Sequence, residues 1–213
     1  MKRKTDSFTG SRPIFTGSPS IVPGGFNLDV QNQSFKVGDV IPKGTVSTFD
    51  EQTRLVQILK TAEVVDVDAD DAKKVSLRVA EFFAPNFVVG DKVAKADAIS
   101  GTYANAASIT KVERTKTTFV VTLDKAVAGL AKGDTLEEVV KDASNNAAER
   151  FIGRSTTIAD VTVDEYETPI DVTADTMQYA LLERRVPPIP ASQKDASGLY
   201  LKGNPHVKLS KSY

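Results

Sequence analysis

One short pattern recurs along this chain. Phe35-Lys36-Val37-Gly38-Asp39-Val40-Ile41 returns as Phe87-Val88-Val89-Gly90-Asp91-Lys92-Val93, and more weakly as Leu130-Ala131-Lys132-Gly133-Asp134-Thr135-Leu136. Each copy sets an apolar anchor before a Gly-Asp pair and an aliphatic or β-branched residue after it. Glycine takes a positive φ without steric cost, and an aspartate carboxylate accepts a backbone N–H, so the pattern is that of a turn entering a strand. Gly38, Asp39, Gly90, Asp91, Gly133 and Asp134 are therefore expected to be structural turn residues. A calcium loop needs several oxygen ligands at close spacing, which these copies lack.

Between the turns the chain alternates as strands do. Gly44 to Phe49 and Arg54 to Leu59 flank the polar Asp50-Glu51-Gln52-Thr53, which reads as a hairpin. Lys74 to Val79, Ala107 to Val112 and Thr117 to Leu123 alternate cleanly, the last two joined by the polar Glu113-Arg114-Thr115-Lys116. Short strands with turns at this spacing predict a mainly β fold, a small barrel or sandwich body carrying an inserted β-module. Ala147 to Phe151 is expected to be a short helical piece. Met177 to Val186 fits either a helix or a strand.

Four regions follow. Residues 1–34 are broken by Pro13, Pro19, Pro23 and Gly24-Gly25, so they predict an extended N-terminal arm. Its spaced anchors Phe8, Phe15, Ile21 and Phe26 suit a segment that orders on a partner. Residues 35–61 and 142–186 are expected to form the β body, and 62–141 the inserted module. Residues 187–213 begin with Pro187-Pro188-Ile189-Pro190 and predict an extended C-terminal tail. Within that tail Leu199, Tyr200 and Leu201 are candidate contact residues for a subunit or capsid.

The chemistry the chain lacks narrows its function. Cysteine is absent and His206 is the one histidine, so disulfides, thiolate metal sites and a histidine-based triad in a folded core are not expected. Asp66, Asp68, Asp70 and Asp71 lack the central glycine and final glutamate of a calcium loop. Asp164, Glu165 and Glu167 read as a solvated loop. No phosphate-binding loop is present. The formal net charge is −1, so no basic field points to nucleic acid. No apolar run of about 18 residues predicts a bilayer-spanning helix, and the basic start lacks the apolar stretch of a secretory leader. No cofactor, no metal and no enzymatic activity are expected.

Residues 35–46, Phe35-Lys36-Val37-Gly38-Asp39-Val40-Ile41-Pro42-Lys43-Gly44-Thr45-Val46, followed by the Asp-containing turn of Phe49 to Leu55, resemble the start of phage head fibre and capsid decoration proteins. The section from Ala62 to Val139 looks like the small β-module that such proteins carry, and Pro187-Pro188-Ile189-Pro190 before a short apolar tail is similar to their end. Chains of this kind occur in phages of Bacteroidales, the crAss-like group among them. The resemblance implies a structural virion protein on the outer capsid surface, made in the host cytoplasm. It would be a homo-dimer or homo-trimer, with the major capsid protein and other virion proteins as partners. A tail or baseplate component is an alternative, as is a carbohydrate-binding adhesin. The adhesin is disfavoured because aromatics are 7% and tryptophan is absent.

Overall fold

The computed structural model describes residues 13–22, 25–174 and 178–211. The chain opens with strands β1 (Phe15–Thr16), β2 (Phe26–Leu28), β3 (Val40–Ile41), β4 (Val46–Asp50) and β5 (Leu55–Ile58). It continues through β6 (Thr61–Val67), β7 (Lys74–Leu77), β8 (Lys92–Lys95), β9 (Ala107–Arg114), β10 (Phe119–Leu123) and β11 (Thr135–Lys141). Then come β12 (Ala147–Glu149), β13 (Ser155–Thr156), β14 (Val161–Thr162), β15 (Pro169–Ile170), β16 (Tyr179–Leu182), β17 (Tyr200–Leu201) and β18 (Asn204–Ser210). Single 3-10 turns cover Tyr103–Asn105, Glu183–Arg185 and Ala191–Gln193. The fold is mainly β, as the alternation implies.

Strands β6, β7, β10, β9, β8 and β11 close into a six-stranded barrel, because β11 pairs with both β6 and β8. Side chains alternate across each strand. On β10 this turns Phe119, Val121 and Leu123 inward, and on β7 it turns Val75 and Leu77 inward, where they meet Ile109, Val93 and Leu136. Each such side chain contributes about 1.5–3 kcal/mol by leaving water. Register shifts at Val64/Asp66 of β6 and Thr122/Leu123 of β10 bend the strands, the local change that lets a short sheet close. The buried core of this barrel draws only on residues between Ala62 and Leu136.

A five-stranded sheet, β13-β4-β5-β2-β15, forms the adjoining body around Phe26, Phe49, Val56, Ile58 and Ile170. A four-stranded sheet, β1-β16-β18-β17, packs Phe15, Tyr179, Leu181, Val207 and Leu209 against Val46 and Leu59 of that body. The expected β4–β5 hairpin is present, with Ser47 opposite Ile58 and Asp50 opposite Leu55.

The described parts of the two end segments are extended, yet they lie on the chain's own body. β2 is a strand of the five-stranded sheet, parallel to β5. β18 runs parallel to β16 between it and β17, so part of the expected extended C-terminal tail is an internal strand. Its alternation, Asn204, Val207 and Leu209 buried, is weak in sequence because Pro205, His206 and Lys208 intervene. The helix expected over Ala147 to Phe151 is instead β12, whose Ala147 pairs with Lys141 of β11. The Asp142 carboxylate accepts the N–H groups of Ser144 and Asn146 at 2.8 and 2.7 Å, and Asn145 takes φ +66°. Residues 142–146 are thus a hairpin turn. Met177 to Val186 resolves, from Tyr179 on, into β16 and a 3-10 turn.

Candidate interaction surface and its polar clamp

The three Gly-Asp copies build one structural unit. In each, the Asp N–H donates to the carbonyl three residues back: Asp39 to Lys36 at 2.9 Å, Asp91 to Val88 at 3.2 Å and Asp134 to Ala131 at 3.1 Å. Gly38, Gly90 and Gly133 sit at φ +87°, +99° and +89°, the left-handed position that a type II turn requires. Each glycine N–H then donates to one residue of a neighbouring segment, and that residue's N–H donates back to the Asp carbonyl. The receiving residues are Val163, Ile109 and Val64, all at 2.8–2.9 Å. Two residues thus oppose one, which is a glycine bulge joined to its turn. The third copy, faint in sequence, is therefore a true repeat in structure.

The aspartate side chains diverge. Asp134 and Asp91 turn back to the N–H of Ala131 and Val88, at 2.7 and 3.0 Å. Asp39 instead pairs with Arg114 of β9, leaving Asp39 Oδ2 buried without a partner. Arg114 also donates to the Phe87 carbonyl at 2.9 Å and lies over the Phe119 ring. One guanidinium thus ties the first turn, on the body, to the second, on the barrel.

A second tie runs beneath. Lys60, placed between β5 and β6, donates to Asp91 Oδ2 at 2.8 Å and to the Ser34 carbonyl, with Glu138 Oε1 at 3.8 Å. Its ammonium also stands over the Phe35 ring. Glu138 on β11 is held by a two-pronged contact from Arg150 at 3.0 and 3.1 Å and by Gln33 Nε2 at 2.9 Å. Gln33 in turn bridges the Ile58 backbone, its Oε1 accepting the N–H at 2.9 Å. Burial pushes the Asp91 carboxyl above the usual carboxylate range; Lys60 pulls it down and Glu138 adds to the rise. The clamp carries two cations and two carboxylates, so its charges are internally matched.

Above this clamp the first two turns stand side by side. A groove of about 600 Å³ between them is lined by Ser34, Phe35, Lys36, Val88, Val89, Val112 and Arg114. Val37 and Val89 hold the same position in their turns, and both project into solvent at 58% and 61% exposure. In the third copy the position belongs to Lys132, also exposed.

The residues expected to make contacts are divided. Phe15, Phe26 and Leu201 are buried in the chain's own cores, so they hold the end segments down and are not offered to a neighbour. Tyr200 is half-buried on edge strand β17, while Ile21 and Leu199 are exposed. Phe8 lies outside the described residues. Lys60, Arg114, Gln33 and Glu138 were not singled out by sequence. Only Lys60 carried a signal, as the lone charge in the run Leu55 to Ala62. His206 lies exposed on β18. Among the described residues no group of three or more His, Asp or Glu side chains is placed to hold a metal ion. Comparison with protein-family models, with curated proteins and with solved structures finds no match.

Proposed function

We propose that this chain is a structural, non-enzymatic virion protein held on the outer surface of a phage capsid, a head fibre or decoration protein. The observation that carries the reading is the pair of equivalent valines, Val37 and Val89, exposed on two rigid turns beside a groove floored by Phe35 and Val112. The turns' backbones are bonded into neighbouring segments, so the patch loses little freedom when it docks. Burying apolar surface there contributes roughly 25 cal/mol per Å², and repeated copies on a shell multiply a modest contact by avidity. The resemblance of residues 35–55 to head fibre proteins supplies the capsid as the partner, and the patch then faces the major capsid protein or a second copy of the chain.

The test is co-sedimentation with capsids of the source phage stripped of this protein. The parent chain should pellet with capsids, and V37D/V89D should stay in the supernatant while unfolding at the same urea concentration as the parent. A double variant that pellets like the parent removes the patch from the reading. A parent chain that does not pellet overturns the capsid assignment.

A further inference from the structure

A cleft of about 740 Å³ opens between the barrel and the segment that follows β16. Its floor is apolar, with Phe82, Phe83 and Pro188 each half-buried. Its rim is cationic: Arg78, Arg184, Arg185 and Lys211 stand against two carboxylates, Glu63 and Glu183. Both carboxylates are already engaged, Glu63 by Arg78 at 2.7 Å and Glu183 by Lys194. Arg185 is fixed in place, donating to the Pro13 carbonyl at 2.7 Å and lying over the Phe82 ring. A guanidinium carries five N–H groups, so one such contact leaves it able to bond an arriving anion.

The same chain carries a projection of the opposite kind. Between β14 and β15 the residues Asp164, Glu165, Tyr166 and Glu167 are all exposed. Tyr166, at 85%, is the most open large hydrophobic side chain among the described residues. The loop is pinned at both ends. The Val163 N–H donates to the Asp39 carbonyl at 2.8 Å, and the Leu28 N–H to the Thr168 carbonyl at 2.9 Å. Across the neck the Asp164 N–H donates to Thr168 Oγ1 at 2.9 Å. An aromatic ring between carboxylates is thus held out on backbone that is already ordered, which lowers the entropy lost on docking.

We propose that the cleft of one copy receives the Tyr166 loop of a second copy of this chain. The ring meets the apolar floor, and Glu165 and Glu167 meet the cationic rim. A tyrosine anchor within matched charges is the composition of a strong binding contact. The formal net charge of −1 sets little overall repulsion between copies, so the local match steers them together. Loop and cleft share no residue, so the contact is heterologous: each copy offers its loop to one neighbour and its cleft to another. It uses neither Val37 nor Val89 and does not rest on the capsid reading.

The test is sedimentation velocity of the full chain in low salt. The parent should associate with a Kd on the order of 100 μM. Y166A/E167A, confined to the exposed loop, should weaken association at least about tenfold. R184E/K211E, on the rim, should do the same, with the fold of both variants checked by circular dichroism. V37D/V89D should associate as the parent does. The decisive sample mixes the first two variants. One keeps an intact cleft and the other an intact loop, so the mixture should form a 1:1 heterodimer and nothing larger. The proposal is overturned by a parent that stays monomeric up to about 1 mM. It is equally overturned by undiminished association of Y166A/E167A, by loss of association in V37D/V89D, or by a mixture that forms no heterodimer.

Discussion

Lys60 and Asp91 meet at 2.8 Å with both side chains withdrawn from solvent, and through them the barrel is locked to the sheet beside it. The ammonium also reaches the Ser34 carbonyl and nears Glu138, the carboxylate that Arg150 grips. Breaking a buried pair by removing one partner leaves an uncompensated charge, a far larger loss than the net worth of the pair itself. Lys60→Met should therefore destabilise the protein by about 3–5 kcal/mol, read from urea unfolding. A loss under about 1 kcal/mol would mean that the pair is effectively solvated and the clamp does not hold the two parts.

Glu137 is 0% exposed and neither carboxylate oxygen has a hydrogen-bond partner, so it makes a pH prediction of definite sign. Its carboxyl keeps its proton in the folded chain up to about 8, whereas the unfolded chain releases it near 4.5. Between those values the native state binds the extra proton, so this group's contribution falls as pH rises, by as much as about 1.4 kcal/mol per unit. Glu137→Gln removes the dependence. Parent and variant should unfold alike at pH 4, and the variant should be the more stable by several kcal/mol at pH 9. Parallel pH profiles would show that Glu137 is ionised in the folded protein.

Two glycines separate backbone strain from crowding. A Cβ added at Gly133, φ +89°, meets nothing within 4 Å, so Gly133→Ala should cost only the left-handed backbone term, about 1–2 kcal/mol. At Gly44, φ +82°, the same atom would stand 2.5 Å from Val186 and 2.6 Å from Ile14. Gly44→Ala should lose about 3 kcal/mol or more, strain and overpacking together. Equal urea midpoints for the two variants would contradict the packing of Ile14 and Val186 over Gly44.

The C-terminal strand gives a test of where the chain's fold ends. Leu209 is 1% exposed, within the core that holds Tyr179 and Leu181. Leu209→Ala should cost about 2–5 kcal/mol by the cavity it leaves. A free tail would make the same change neutral in thermal or urea unfolding.

The local events were legible in the residues alone. Gly-Asp placed three turns, alternation placed β4, β5, β7, β9 and β10, and the absence of long helical periods made the fold β. These are decisions taken within about four to eight residues, by φ preference, short hydrogen bonds and side-chain alternation. Long-range packing settled the rest. β12 reads locally as helix and became a strand because β11 offered a free edge. The end segments read as arms because prolines interrupt them, yet Phe15, Phe26 and Leu209 found cores built by residues far away in the chain. Lys60 and Glu137 carry no local sign of burial strong enough to distinguish a clamp from a solvated charge. Their fate depends on which distant surfaces meet, and that free energy exists only once water has been excluded between them.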